Sequence, residues 1–226
     1  MNKYCIAGLL GIGVLTMSAH GQGSLTPPGA PDQTFRTLLQ VEPRIPIGAA
    51  PATITQSGSY YLTTNLLGTL TIAAHNVSLD LMGFGVIPPT GTALSMGGVN
   101  YSNVLVRNGF ISAVRGNGAD FSTVHSSGGV FEDLRIGTCT NYGLALGSGF
   151  IVRNCEFQGC GLAAVKGGGP IEVVNCRIRN CGAGLDLAAG SSAVGNTIVS
   201  NAGDGIKLSG AGSYLADNRV WGNGDN

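Results

Sequence analysis

After Pro51 the chain takes up a period of two. Apolar and polar residues alternate in short runs such as Ser59-Tyr60-Tyr61-Leu62-Thr63, Leu70-Thr71-Ile72 and Val77-Ser78-Leu79-Asp80-Leu81, the pattern of strands with one buried face. From there to Asn226 no segment carries a helical period. The one helical turn that the pattern predicts lies upstream, over Gln33 to Val41, where Phe35, Leu38 and Leu39 share a face.

The strand pattern repeats. Phe131, Val152, Val173, Val194 and Leu215 recur every 21 residues, and three further columns keep step with them. These are Leu134, Cys155, Cys176, Thr197, Asn218; then Ile136, Phe157, Ile178, Val199, Val220; then Cys139, Cys160, Cys181, Ala202, Asn223. Upstream, Leu81, Val106 and Phe131 continue the rhythm at a spacing of 25, with a Gly/Ser-rich excursion from Ser112 to Gly129. A second apolar pair closes the later units, at Leu144 and Leu146, Leu185 and Leu187, Ile206 and Leu208.

A period near 21 without helices is that of a parallel β-solenoid. At about 3.3 Å per residue and about 4.8 Å between strands, one lap can turn three corners and return beside its own start. Residues one lap apart then stack as interior ladders. A leucine-rich repeat would need its L-x-x-L-x-L frame, and a propeller a doubled period; the sequence has neither. The expected fold class is therefore all-β, a solenoid of seven or eight coils.

Composition fits a chain of many turns, with 38 Gly and 9 Pro among 226 residues against a usual Gly plus Pro share of about 12 %. Lys plus Arg and Asp plus Glu number 12 each, so no basic face is expected for nucleic acid. Met1-Asn2-Lys3, the uncharged run Tyr4 to Met17 and the small residues before Gln22 read as a signal peptide over residues 1–21. The run is too short for a bilayer span, so no membrane association is expected after cleavage. A Pro-rich leader with the short capping helix follows over 22–51, then the solenoid over 52–226. The protein is expected outside the cytoplasm, in the periplasm or the extracellular space.

The repeats Val152-Arg153-Asn154-Cys155-Glu156-Phe157-Gln158-Gly159-Cys160 and Val194 to Ile206 resemble those of right-handed parallel β-helix proteins in the pectin-lyase-like superfamily. Ile54 to Leu62, with Asn76-Val77-Ser78-Leu79-Asp80-Leu81, is similar to the opening of secreted bacterial members. The resemblance covers roughly residues 36 to 226. It implies a single-stranded right-handed β-helix, and it leaves function open among lyases, hydrolases, esterases and adhesins.

Lyases of this fold use an acidic calcium cluster with a basic proton abstractor, and its hydrolases use aspartates with a histidine. No acids stack on acids one coil apart, so neither a calcium site nor an inverting pair can be named; calcium enters only on the lyase reading, and no other cofactor or metal is expected. The nearest catalytic candidates are Glu132 with Asp133, and Asp186 with Asp204, the latter on successive coils at different corners. The sign alternation of Arg135, Glu156 and Arg177, of Glu132 with Arg153, and of Asp186 with Lys207 reads first as surface ion-pair ladders. The functional alternative uses Arg135, Arg153, Arg177, Arg179 and Arg219 as a surface for sugar carboxylates. Trp221, in an outward column with Gly137, Gln158, Arg179 and Ser200, is the best platform for a sugar ring.

Asn154, Asn175 and Asn196, continued by Asp133 and Asp217, read as a structural stack at one corner. The five cysteines that follow a leader cleavage read as buried thiols, with Cys155–Cys176 or Cys160–Cys181 bridges as the alternative. No cysteine pair has zinc spacing, and His125 reads as a loop residue. Asn76 and Asn100 open glycosylation-type triplets. Three functions follow: a secreted protein binding extracellular polysaccharide through its strand face and the 112–129 segment; a lyase or glycoside hydrolase with a divergent site; and an adhesive solenoid whose uncapped C-terminal end associates end to end.

Overall fold

The computed structural model describes residues 42–98, 101–122 and 127–225, all within one compact unit, Thr37–Asn226. The expected signal peptide, the Gln33–Val41 turn, Asn100 and His125 lie outside the described residues. Among the described residues there is no helix, and every registered strand pair is parallel (for example). The chain winds through about eight coils of about 21 residues.

Each coil contributes to three strips. The first runs from Ile45–Ile47 through Gly58–Leu62 and Val77–Asp80 to Ser148–Arg153, Glu172–Val174, Ser192–Val194 and Tyr214–Ala216. The second includes Glu156–Gln158, Arg177–Arg179, Thr197–Val199 and Arg219–Trp221. Two strands of 11 residues, Ser102–Ser112 and Ser127–Gly137, run through the corner between these strips and join them into one 14-stranded sheet. The third strip is a separate 8-stranded sheet from Ala52–Ile54 to Ile206–Ser209. Alternation sends every second side chain inward. Inside, Leu79, Val106, Phe131, Val152 and Val173 stack on the first strip, and Leu144, Val165, Leu185 and Ile206 on the third. Phe121, Phe131 and Phe150 fill the middle, Phe121 and Phe131 meeting edge-to-face at 5.3 Å. Each such fully buried side chain contributes about 1.5–3 kcal/mol.

The corners are set by residues that accept a left-handed backbone. Asn108, Asp133, Asn154, Asn175 and Asp217 have φ of 53–59° at the corner between the first and second strips, and Thr138, Asn180 and Ser200 have φ of 53–56° at the far end of the second. Each corner turns the next residue inward. In the middle coils those residues are Cys155 and Cys176 at one corner and Cys139, Cys160 and Cys181 at the other, all buried and free. In the later coils Asn196 and Asn201 take their place, buried as well.

The two residue types do the same work. At the first corner the Asn196 side-chain oxygen accepts the Cys176 N–H at 2.8 Å, while its amide donates to the Val173 carbonyl at 2.9 Å. At the second, Asn201 accepts the Cys181 N–H at 2.9 Å, and one coil earlier the Cys181 sulfur accepts the Cys160 N–H at 3.4 Å. Hydrogen bonding to Cys176 and burial push the Cys155 thiol up, and Cys139, Cys181 and burial do the same for Cys160.

Several sequence expectations need correction. The lap is not constant: it shortens to 20 residues where Val173 meets Ala193 and Ile178 meets Ile198. It lengthens to 22 where Ala193 meets Leu215 and Ile198 meets Val220. Ala193, Asn196, Ile198 and Asn201 therefore occupy the interior places expected for Val194, Thr197, Val199 and Ala202. A strict 21-residue count cannot see this pair of compensating changes. For the same reason Asn196 leaves the corner stack, where Gly195 replaces it at φ 68°; a Cβ there would lie 2.5 Å from the Asn175 side-chain oxygen. Upstream, Leu79 rather than Leu81 belongs to the ladder with Val106. The solenoid starts before residue 52, because Ile45–Ile47 already pairs with Tyr60–Leu62: prolines can occupy an edge strand. The Gly/Ser-rich stretch after Ser112 is not one long loop, since Ala119–Phe121 is a strand of the third strip.

Candidate functional site

The outward side of the second strip carries two columns of side chains. The first is Phe110, Arg135, Glu156, Arg177, Thr197 and Arg219, each one coil from the next. The second is Ser112, Gly137, Gln158, Arg179, Val199 and Trp221. All four binding candidates, Arg135, Arg177, Arg179 and Trp221, thus share one face with Arg219. Val199 rather than Ser200 precedes Trp221 in its column, another consequence of the short lap. Strand alternation decides the orientation: Ile136, Phe157, Ile178 and Ile198 point in, so their neighbours point out.

Arg135, Arg177 and Arg219 are exposed and form no ion pair among the described residues. Glu156 is bound diagonally, by the Arg179 guanidinium at 3.0 Å, rather than by Arg135 or Arg177 in its own column. A groove of about 630 Å³ opens where Phe110, Ser112, Arg135, Glu156 and Gln158 meet. A second, of about 410 Å³, lies on the other side of the arginine column and is lined by Asp133, Asn154, Asn175, Arg135 and Arg177. Trp221 is half exposed at the far end of the face. Phe110 was missed in the sequence because the upstream laps have irregular lengths. Its ring lies over Gly85, where a Cβ would be only 2.3 Å away.

The catalytic candidates separate. Glu132 faces outward from the first strip and accepts a hydrogen bond from Arg153 Nε at 2.8 Å, the ion pair its spacing predicted. Asp133 lies at the exposed corner in the second groove. Asp186 and Asp204 are not separated at different corners: both line a groove of about 380 Å³ on the third strip, with Tyr142 and Lys207. Asp186 sits in register between Lys166 and Lys207. Its ion pair is with Lys166, at 2.7 Å, while its Oδ1 is buried without a partner.

A further buried acid escaped the sequence reading. Asp80 of the first strip accepts the Met82 N–H at 2.9 Å and the Asn108 amide at 3.1 Å, and lies 3.3 Å from Arg107 and 3.6 Å from Arg44. Arg44 also stacks over Tyr61 at 4.8 Å and holds the Glu42 carboxyl down at about 2 through its hydrogen bonds. With every oxygen engaged, this cluster ties the first coils together. Among the described residues no group of three or more His, Cys, Asp or Glu side chains could hold a metal ion.

Residues 89–223 match the family model described as right handed beta helix region. The chain belongs to this family. No curated protein and no solved structure matches it. The match spans most coils of the arginine-bearing face and the whole groove of the third strip, and it fixes the handedness of this β-helix.

Proposed function

We propose that this β-helix is exported and binds extracellular polysaccharide along the outward face of its second strip. The observation that carries the reading is the register that puts Arg135, Arg177, Arg179, Arg219 and Trp221 on one open face. Guanidinium forks match sugar carboxylates in two-pronged hydrogen bonds. Trp221 and Phe110 offer apolar platforms at its two ends. The resemblance to the pectin-lyase-like superfamily supports the same class of ligand.

The test is a retention screen of the purified protein on acidic and neutral polysaccharides, with and without calcium, read together with release of unsaturated or reducing ends. Retention on acidic polymers, lost in Trp221→Ala and Arg177→Ala, is the expected result. No retention on any polymer would overturn the reading and leave the adhesive solenoid.

The third strip favours a second reading, a lyase or glycoside hydrolase. Asp186, Asp204, Lys207 and Tyr142 supply carboxylate, ammonium and phenol groups to one groove, the kinds of group that exchange protons with a sugar. Product release that disappears in Asp186→Asn and Asp204→Asn would establish it. Release unaffected by both changes would reject it.

A further inference from the structure

The charges of the arginine column do not simply add up to a basic patch. Read along the axis, one coil per step, the column runs Arg135, Glu156, Arg177, Thr197, Arg219: a cation on every second coil, with an acid or a hydroxyl between. Strands one coil apart lie about 4.8 Å from each other, so successive arginines of the column stand about 10 Å apart. An extended pyranose chain advances by about one strand spacing per sugar. Resting on the on-axis binding reading above, we propose that the face selects a polysaccharide of alternating character, with a uronate carboxylate on every second sugar and a neutral sugar between.

Orientation follows from the same columns. A ligand laid along one strand would meet only a single coil, for instance Arg177 and Arg179. Laid along the axis it meets Arg135, Arg177 and Arg219 in turn, none of which is committed to an ion pair among the described residues. The intervening positions discriminate. Glu156, held in place by Arg179 at 3.0 Å, faces the sugar between the first two arginines. A uniform polyuronate would set a carboxylate against it, and like charges brought together in this way reject a ligand. Thr197 offers a hydroxyl to the next neutral sugar. Trp221 shares a strand and a face with Arg219, so the third carboxylate is bound beside an aromatic surface for its ring.

Net charge alone predicts the reverse preference, because a uniform polyuronate carries twice the carboxylates per unit length. The experiment compares an unsulfated alternating glucuronate–N-acetylglucosamine polymer with polygalacturonate of matched length, by calorimetry or surface resonance at physiological salt. The alternating polymer is expected to bind at least about tenfold more tightly. In Glu156→Gln, polygalacturonate affinity should rise about tenfold while the alternating polymer changes little. Polygalacturonate binding as tightly to the native protein, or no gain in the variant with its thermal unfolding unchanged, overturns the alternation rule while leaving acidic polysaccharide binding intact. No binding of either polymer overturns the alternation rule too, and absence of retention on every polymer of the screen above overturns the underlying reading as well.

Discussion

Asn196 is the sharpest test of how the coils are joined. Its side chain is fully buried, where the two preceding coils carry Cys155 and Cys176. Replacing it with Ala removes the acceptor for the Cys176 N–H and the donor to the Val173 carbonyl and to the Asn218 side chain. A buried N–H left without a partner costs about 1–3 kcal/mol, and each further hydrogen bond lost about 1 kcal/mol, so Asn196→Ala should cost about 3–5 kcal/mol. For a domain of this size that is a fall of about 6–20 °C in Tm. Asn196→Cys should recover about half of the loss, because a sulfur already accepts the matching N–H at the other corner, from Cys160 to Cys181 at 3.4 Å. The assay is thermal and urea unfolding followed by far-ultraviolet circular dichroism. If Asn196→Ala melts within about 1 °C of the native chain, or if Cys serves no better than Ala, the hydrogen-bonded ladder is not what holds this corner.

Other outcomes follow from the same geometry. The folded chain holds the Cys155 and Cys160 protons, while the same thiol–thiol hydrogen bonds ease proton loss from their partners Cys139, Cys176 and Cys181. The Cys155 and Cys160 part of the stability is full below the ordinary thiol range and is lost as pH rises above about 8.5, and urea midpoints at pH 7 and pH 10 should show a weaker alkaline loss in a Cys155→Ala, Cys160→Ala variant than in the native chain. Gly182→Ala places a Cβ 2.3 Å from the Gly161 carbonyl oxygen and 2.4 Å from that of Leu162, so adjacent coils must separate, and Tm should drop by several degrees in the same melts. Asp186→Asn removes a half-exposed ion pair with Lys166 and should change unfolding free energy by less than about 1 kcal/mol, which makes it a clean variant for the activity assay.

Much of this protein is written in its repeats. Stacking coils translate a residue by one lap and change nothing else, so Phe131 over Val152 and Cys155 under Cys176 are already stated by a 21-residue spacing. The period-two pattern then says which side chains point inward, and that alone puts Arg135, Arg177, Arg179 and Trp221 in the outward set. What spacing alone could not supply is register where a lap loses or gains a residue. The 20-residue lap puts Asn196 inside and Gly195 at the corner, and a hydrophobicity pattern gives no reason to bury an asparagine, because its place depends on the backbone N–H it must satisfy one coil away. Contacts across irregular laps were equally hidden: Asp80 with Arg107 is 27 residues apart, Phe110 lies over Gly85, and Glu156 chooses Arg179 on the diagonal. The sequence by itself determined the coil, its inward ladders and the strip that bears the arginines. Only the tertiary structure decided which residues meet across unequal laps, since a shift of a single residue exchanges the inside of a strand for its outside.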